Sequence, residues 1–237
     1  MLKKCIDWLL PINCIVCGFT HNDFFCSDCL AELPWLKGYC YTCGTELPSE
    51  TWAQQCGECL INPPPFERAL ILFSYRFPIP SLITQLKFQK KLRLAYPIGV
   101  LLAKKILEQY NAHNLTLPEC IIPVPLHISR LRTRGYNQSV EIARPLKKLL
   151  DLPVDFLCVR RTRSTAPQSL LEIKDRQRNI KNVFQVTKPL PYRHVAILDD
   201  VITTAGTVSE LAKVLKKAGV ATIEVWCIAR TELVRKG

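Results

Sequence analysis

The chain has 237 residues, 48% of them hydrophobic, enough for one well-buried domain with a small appendage. No apolar run approaches the ~20 residues of a membrane span, and the opening stretch, interrupted by Asp7, is too short for a signal peptide, so a cytoplasmic location is expected. The net charge of +12 is unevenly spread: residues 1–65 carry three Lys against seven Asp or Glu, whereas residues 66–237 carry 29 Lys or Arg against 13, a field that draws anionic partners.

Twelve cysteines in a reducing compartment call for something other than disulfides. Eight fall into C-x-x-C pairs: Cys14/Cys17, Cys26/Cys29, Cys40/Cys43 and Cys56/Cys59. Two thiolates at that spacing grip one tetrahedral zinc from a tight turn, and Gly18 and Gly44 follow the first and third pairs as such a knuckle requires. The second half echoes the first, which points to two structural Zn²⁺ ions, one per half. Interleaved ligation, first pair with third and second with fourth, is the alternative. A closed four-thiolate shell leaves no open position for water, so the metal is expected to stabilise folding rather than do chemistry. Cys5, Cys120, Cys158 and Cys227 are isolated in apolar or strand-like surroundings and read as packing residues. Asn62-Pro63-Pro64-Pro65 is a stiff linker, dividing a Cys-rich domain over 1–62 from a basic domain over 66–237.

Beyond the linker, Ala69–Tyr75 reads as a strand and Pro80–Lys91 as a helix with Leu82, Ile83, Leu86 and Leu92 inward. The basic run Lys87–Arg93, with Phe88 inside it, is either a solvated helix end or a contact for phosphate or nucleic acid. A second helix is predicted over Ile98–Gln109, then a buried strand and turn over Cys120–Pro125. Arg130, Arg132 and Arg134 alternate and cannot all be buried, and guanidinium forks recognise phosphate oxygens. A helix over Ser139–Leu150 should be kinked or split by Pro145. A short strand is predicted over residues 155–159, and the polar, basic run Arg160–Leu170 reads as a mobile flap or a surface hairpin. Val183–Val186 and a stretch from Val195 are strands, Gly206–Ala218 is a helix closed by Gly219, and Thr222–Ala229 is the last strand. Strands alternating with helices predict an α/β fold, a mostly parallel sheet flanked by helices behind a small zinc-ribbon domain.

The segment from Val195 to Thr207 carries the most chemistry. Asp199 and Asp200 are adjacent acids at the carboxyl end of a buried strand, placed to hold ribose hydroxyls or a divalent cation. The turn Thr203-Thr204-Ala205-Gly206-Thr207 leads into a helix, whose first backbone N–H groups can cradle a phosphate. An ordinary helix cap with solvated acids is the competing reading.

This segment resembles the phosphoribosyl-pyrophosphate signature of type I phosphoribosyltransferases, and with the eight paired cysteines the chain is similar, over nearly its entire length, to the ComF family of competence-associated proteins. One departure stands out: Ala205 occupies the place where the family usually has Gly, and Ala meets a steric cost at positive φ. The resemblance implies a phosphoribosyltransferase-type sheet that binds phosphoribosyl pyrophosphate with Mg²⁺. It assigns Arg134, Asn137 and Gln138 to the pyrophosphate region, and Gln168, Arg176 and Asn179 to a loop that closes over it. No catalytic residue is singled out. It also implies a role in natural transformation, in uptake or cytosolic handling of single-stranded DNA at the inner face of the inner membrane, with DNA-uptake helicase or channel proteins as partners. Three classes stay open: an enzyme transferring a phosphoribosyl group, a nucleotide-sensing regulator without catalysis, and a single-stranded DNA binding module using the basic domain with aromatics such as Tyr136 and Phe88.

Overall fold

In a computed structural model of the protein, residues 12–48, 54–164 and 180–232 are described. β1 (Ile12–Asn13) and β2 (Thr20–His21) pair antiparallel around the first knuckle, and α1 (Ser27–Ala31) starts at Cys26, whose thiol accepts from the Cys29 N–H. The second half repeats the plan with Gly44 in the left-handed region (φ 75°) and α2 (Gly57–Ile61) starting after Cys56. Between the halves the chain runs along the rear sheet. The Leu36 N–H donates to the Leu72 carbonyl (3.2 Å), Ser74 N–H to Pro34 (2.8 Å) and Ala69 N–H to Tyr41 (2.8 Å). The ribbons are thus tied to the edge of the sheet by backbone hydrogen bonds as well as by the linker.

The rear region alternates strand and helix: β3 (Arg68–Ser74), α3 (Ile79–Phe88), a 3₁₀ turn (Leu92–Leu94), α4 (Ala95–Ala112), β4 (Cys120–Pro123), α5 (Ile128–Arg134), α6 (Gln138–Leu150), β5 (Val159–Arg161), β6 (Phe184–Val186), β7 (His194–Ile202), α7 (Gly206–Lys217) and β8 (Thr222–Arg230). Four strands form an all-parallel sheet in the order β3-β8-β7-β4, while β5 and β6 make a separate antiparallel pair. Both faces of the sheet are covered, which is why its strands are nearly continuous apolar runs. Leu70, Leu72, Ala196 and Leu198 pack with residues of α3, α4 and α6. Their alternating neighbours Ala69, Ile71, Val195 and Ile197 pack with α7. Cys120, Cys158 and Cys227 are buried in this core, as expected. Among the described residues no helix is long and apolar enough to cross a membrane.

The structure corrects the sequence reading in several places. Residues 155–158 are not a strand: the Asp155 carboxylate accepts from the Leu157 and Cys158 N–H groups (3.2 and 3.1 Å), a local turn, and β5 begins only at Val159. Pro145 does not split α6, which runs on to Leu150. That helix crosses α4 at Gly99, where a Cβ would lie 2.4 Å from Pro145 Cγ and 2.7 Å from the Ile142 carbonyl oxygen, so glycine permits the approach. The helix predicted to reach Lys91 stops at Phe88, because Lys90 turns left-handed (φ 55°), and Leu92 is exposed rather than inward. Tyr136 is buried with its hydroxyl donating to the Leu86 carbonyl, so it is no stacking surface.

Candidate functional site

Open parallel sheets leave a crevice outside the carboxyl ends of their strands. Here it is a cavity of about 570 Å³, walled by Tyr75 after β3, Val124 and Leu126 after β4, Asp199 to Val201 of β7, Thr203 and Thr207 beyond it, and Thr231 after β8. α3 contributes Lys87 and Phe88, α5 contributes Arg130 and Arg134, and Gln138 and Arg161 complete the wall.

The two acids define its chemistry. Asp199 is 9% exposed and Asp200 3%, and the Asp200 N–H donates to Asp199 Oδ1 (2.9 Å). Burial first, and the Asp200 charge second, raise the Asp199 carboxyl to about 7, although Lys87 works the other way. Lys87 Nζ lies 2.7 Å from Asp200 Oδ2. Burial alone would favour a neutral amine there, but the Asp200 carboxylate outweighs it and holds the ammonium above its ordinary range. Facing this pair, the Arg134 guanidinium lies 5.4 Å over the Phe88 ring and donates to Gln138 Oε1. Burial lowers the pKa of Arg134 and Arg161, yet both remain cations in any accessible pH range. The cavity therefore joins two carboxylates to a wall of fixed positive charge.

The loop from Thr203 to Thr207 supplies a different kind of group. Ala205 adopts φ 58°, ψ 4° immediately before α7, and no side chain caps that helix. Beside this helix start lies a small nest, a void of about 10 Å³ lined by Asp199, Thr203, Ala205, Gly206 and Thr207. Such a nest suits phosphate oxygens. Holding a non-glycine residue in this conformation costs roughly 1–2 kcal/mol.

Of the residues picked out from sequence, Asp199, Asp200, Thr203, Thr207, Arg134 and Gln138 line the main cavity, and Ala205 and Gly206 line the nest. Thr204 turns to the other side of the loop, where a second cavity of about 730 Å³ separates it from the ribbon. Asn137 lines neither. It caps α6 by accepting from the Ser139 N–H and pins the strand β4 exit through Nδ2 to the Val124 carbonyl (2.9 Å). Gln168, Arg176 and Asn179, like Cys5, lie outside the described residues. Lys87 as the partner of Asp200, Arg161 and Thr231 were not singled out. The basic run at the end of α3 pointed at Lys87, but only packing shows which lysine turns inward.

In the ribbons, Cys14, Cys17, Cys26 and Cys29 form one set and Cys40, Cys43, Cys56 and Cys59 the other, with all sulfurs of each set within 4.8 Å of one another. Ligation is therefore sequential, and the interleaved alternative is excluded. Four thiolates ~2.3 Å from a tetrahedral ion lie about 3.8 Å apart, and the Cys17–Cys26 and Cys43–Cys56 sulfur separations are 4.0 and 3.7 Å. Backbone amides already point at the sulfurs, Cys26 N–H at Cys14 and Cys56 N–H at Cys40. Hydrogen bonding from the Cys43 thiol, then from backbone amides, lowers Cys40 to about 4 despite its burial. Both sets fit two structural zinc ions.

Residues 5–60 match the double zinc ribbon domain family. The DNA utilization protein YhgH of Shigella flexneri is 40% identical over 87% of this chain and 90% of that protein. Competence protein F of Haemophilus influenzae is 39% identical over 92% of this chain and 96% of its own length. A solved hypoxanthine-guanine phosphoribosyltransferase from L. donovani aligns over 57% of this chain and 71% of that one, at 18% identity and a TM-score of 0.35.

Proposed function

The chain belongs to the ComF family, with competence protein F and the DNA utilization proteins, and from that premise we propose that its main cavity binds phosphoribosyl pyrophosphate together with Mg²⁺ in the service of DNA uptake or utilization. The observation that carries this reading is the pairing of Asp199 and Asp200, buried side by side, with an uncapped helix start a few residues away. Adjacent carboxylates suit the two ribose hydroxyls and a hard divalent cation. The nest at Thr203–Thr207 suits the 5′-phosphate, and Arg134, Arg130 and Lys87 on the facing helices suit a pyrophosphate. Transfer to an acceptor would form a bond at the anomeric carbon as the pyrophosphate leaves. The chain's own part would be to place the sugar, neutralise the leaving group and accompany the cation. Calorimetric titration of phosphoribosyl pyrophosphate with Mg²⁺ tests the reading: binding should fall at least tenfold, ~1.4 kcal/mol, when Asp199 and Asp200 are both changed to Asn. Unchanged affinity would return the segment to an ordinary strand-to-helix turn.

A second reading is favoured by a groove of about 330 Å³ beside the main cavity, lined by Lys87, Phe88, Lys90, Ser129, Arg130, Thr133 and Arg134. Phe88 is 72% exposed at its centre among cations, the combination that stacks a base and neutralises its phosphate. Single-stranded DNA would run along this wall. Neutralising about four to six phosphates would give log K a slope of roughly −3 to −4 against log salt concentration. Phe88→Ala should weaken that binding while Asp200→Asn leaves it intact. Absence of binding at ~50 mM salt would remove a direct DNA role.

A further inference from the structure

Arg230 ends β8 and is 5% exposed, an unusual place for a cation. Its guanidinium is spent on the second ribbon. Nη1 donates to the Cys43 carbonyl (2.6 Å) and Nη2 to Thr45 Oγ1 (2.9 Å), while Nε is buried with no hydrogen-bond partner. Its backbone belongs to the other side of the molecule. The Arg230 carbonyl accepts from the Tyr75 N–H (2.9 Å), Arg230 stands opposite Ile202 of β7, and the next N–H, of Thr231, donates to the Ile202 carbonyl (3.0 Å). Ile202 leads directly into the Thr203–Thr207 loop, and Thr231 lines both the carboxylate cavity and the ribbon-side cavity that Cys43, Thr45, Thr204 and Ala205 share.

We propose that Arg230 is a positioning residue through which metal loading at Cys40, Cys43, Cys56 and Cys59 sets the geometry of the phosphate loop, so that the second zinc site governs affinity for phosphoribosyl pyrophosphate and the first does not. The physical reason is charge balance. Four thiolates around one Zn²⁺ carry a net charge of −2, and a buried guanidinium beside them is its counter-ion. When the metal leaves, the −2 centre that the guanidinium faces is gone and the Cys43–Thr45 turn that holds it is no longer fixed by the ion, so the guanidinium moves with that turn. The strand end that moves is the one hydrogen-bonded to Ile202 and flanking the loop. The first four-cysteine set has no such connection among the described hydrogen bonds. This inference rests on the phosphoribosyl pyrophosphate reading of the main cavity.

The experiment is calorimetry with phosphoribosyl pyrophosphate and Mg²⁺ on full-length protein of measured zinc content. Arg230→Met should keep two zinc ions yet bind at least about fivefold more weakly, and Arg230→Lys should recover part of the loss. Thr45→Val removes the acceptor of Nη2 together with the hydroxyl 3.1 Å from the Cys43 sulfur, so it is read on protein shown to hold two zinc ions, and it should weaken binding in the same direction. Cys29→Ser, which disables the first site, should cost stability but, on the fraction that stays folded with one zinc ion, leave affinity within about twofold; a loss as large as that of Arg230→Met would overturn the selectivity for the second site. If the parent protein binds no phosphoribosyl pyrophosphate, the site reading itself fails and the coupling falls with it. If the parent binds and Arg230→Met and Thr45→Val bind equally well, the site stands and the coupling is wrong. Should Arg230→Met fail to fold, Thr45→Val decides alone.

Discussion

Asp199→Asn should make the protein more stable and less functional, and the size of the gain should depend on pH. The carboxyl titrates near 7 in the folded chain against an ordinary 3.8, chiefly because it is buried and next because Asp200 lies beside it. A carboxyl whose folded pKa is raised holds its proton more tightly in the fold, so its contribution is intact at low pH and is lost as pH rises through about 7. At ~1.4 kcal/mol for each pKa unit, the deficit is about 1.5 kcal/mol at pH 5 and about 4 kcal/mol at pH 8. Asparagine has the same shape, carries no charge and still offers an Oδ1 to the Asp200 N–H, so the variant should exceed the parent by up to these amounts. Urea unfolding of zinc-loaded parent and variant across pH 5 to 8 reads the difference directly, since the ribbons are common to both and cancel. A parent as stable as the variant at pH 8, or a gap that does not widen with pH, would refute the assignment of Asp199 as a strained, charge-repelled group. The same titration acts on the ligand: Mg²⁺-dependent binding should strengthen between pH 6 and 8 as Asp199 ionises.

Metal analysis of protein never exposed to chelator should give two zinc ions per chain, and chelation should leave it protease-sensitive, because metal binding in such modules is folding energy. Glu224→Gln should destabilise by about 3–5 kcal/mol, since the fully buried Glu224 accepts from Arg68 (2.6 Å), Tyr110 and His194 (2.7 Å). Burial opposes its charge, but His194, then Tyr110 and Arg68 outweigh it and hold it below 4.5, so the parent should lose this contribution as pH falls below that range while the variant shows no such dependence in thermal melts. Ala205→Gly should relieve roughly 1–2 kcal/mol of left-handed strain against up to about 1 kcal/mol of extra chain entropy. Thermal unfolding should therefore show a gain of at most about 1 kcal/mol, and a marked loss would mean that the Ala205 methyl does packing work.

The parts of the molecule that were legible in the sequence are those where spacing or periodicity is local. The four C-x-x-C pairs named the metal sets residue by residue, and the apolar runs at β3, β7 and β8 announced strands covered on both faces. Asp199 and Asp200 could be placed at a strand end because the hydroxyl-rich turn follows them at once. What stayed hidden depends on distant partners. The segment from Pro34 to Tyr41 has no strand pattern, yet it lies along β3, because its backbone groups find partners there. Lys87 is one of several lysines near the end of α3, and its role exists only through Asp200, more than a hundred residues away. Asp155 misled in the opposite direction: an apolar stretch looked like a strand, while the aspartate's own carboxylate folded it into a turn.

Four unfavourable features of this structure meet at one place. A carboxyl raised to about 7, an alanine in the left-handed region, an uncapped helix start and a buried arginine with an unbonded Nε all border the loop between β7 and α7. Each is individually destabilising, and selection for folding alone would remove them by changes as small as Asp to Asn or Ala to Gly. Their coincidence at one place is accounted for if each is satisfied by something bound: a cation between the acids, a phosphate at the helix start, a zinc tetrathiolate opposite the arginine. A ligand that binds the folded chain alone then stabilises it by RT ln(1 + [L]/Kd), about 2.7 kcal/mol at a hundredfold excess over Kd. That gain should be larger in the parent than in Asp199→Asn, because only the parent begins with the repulsion that the cation removes.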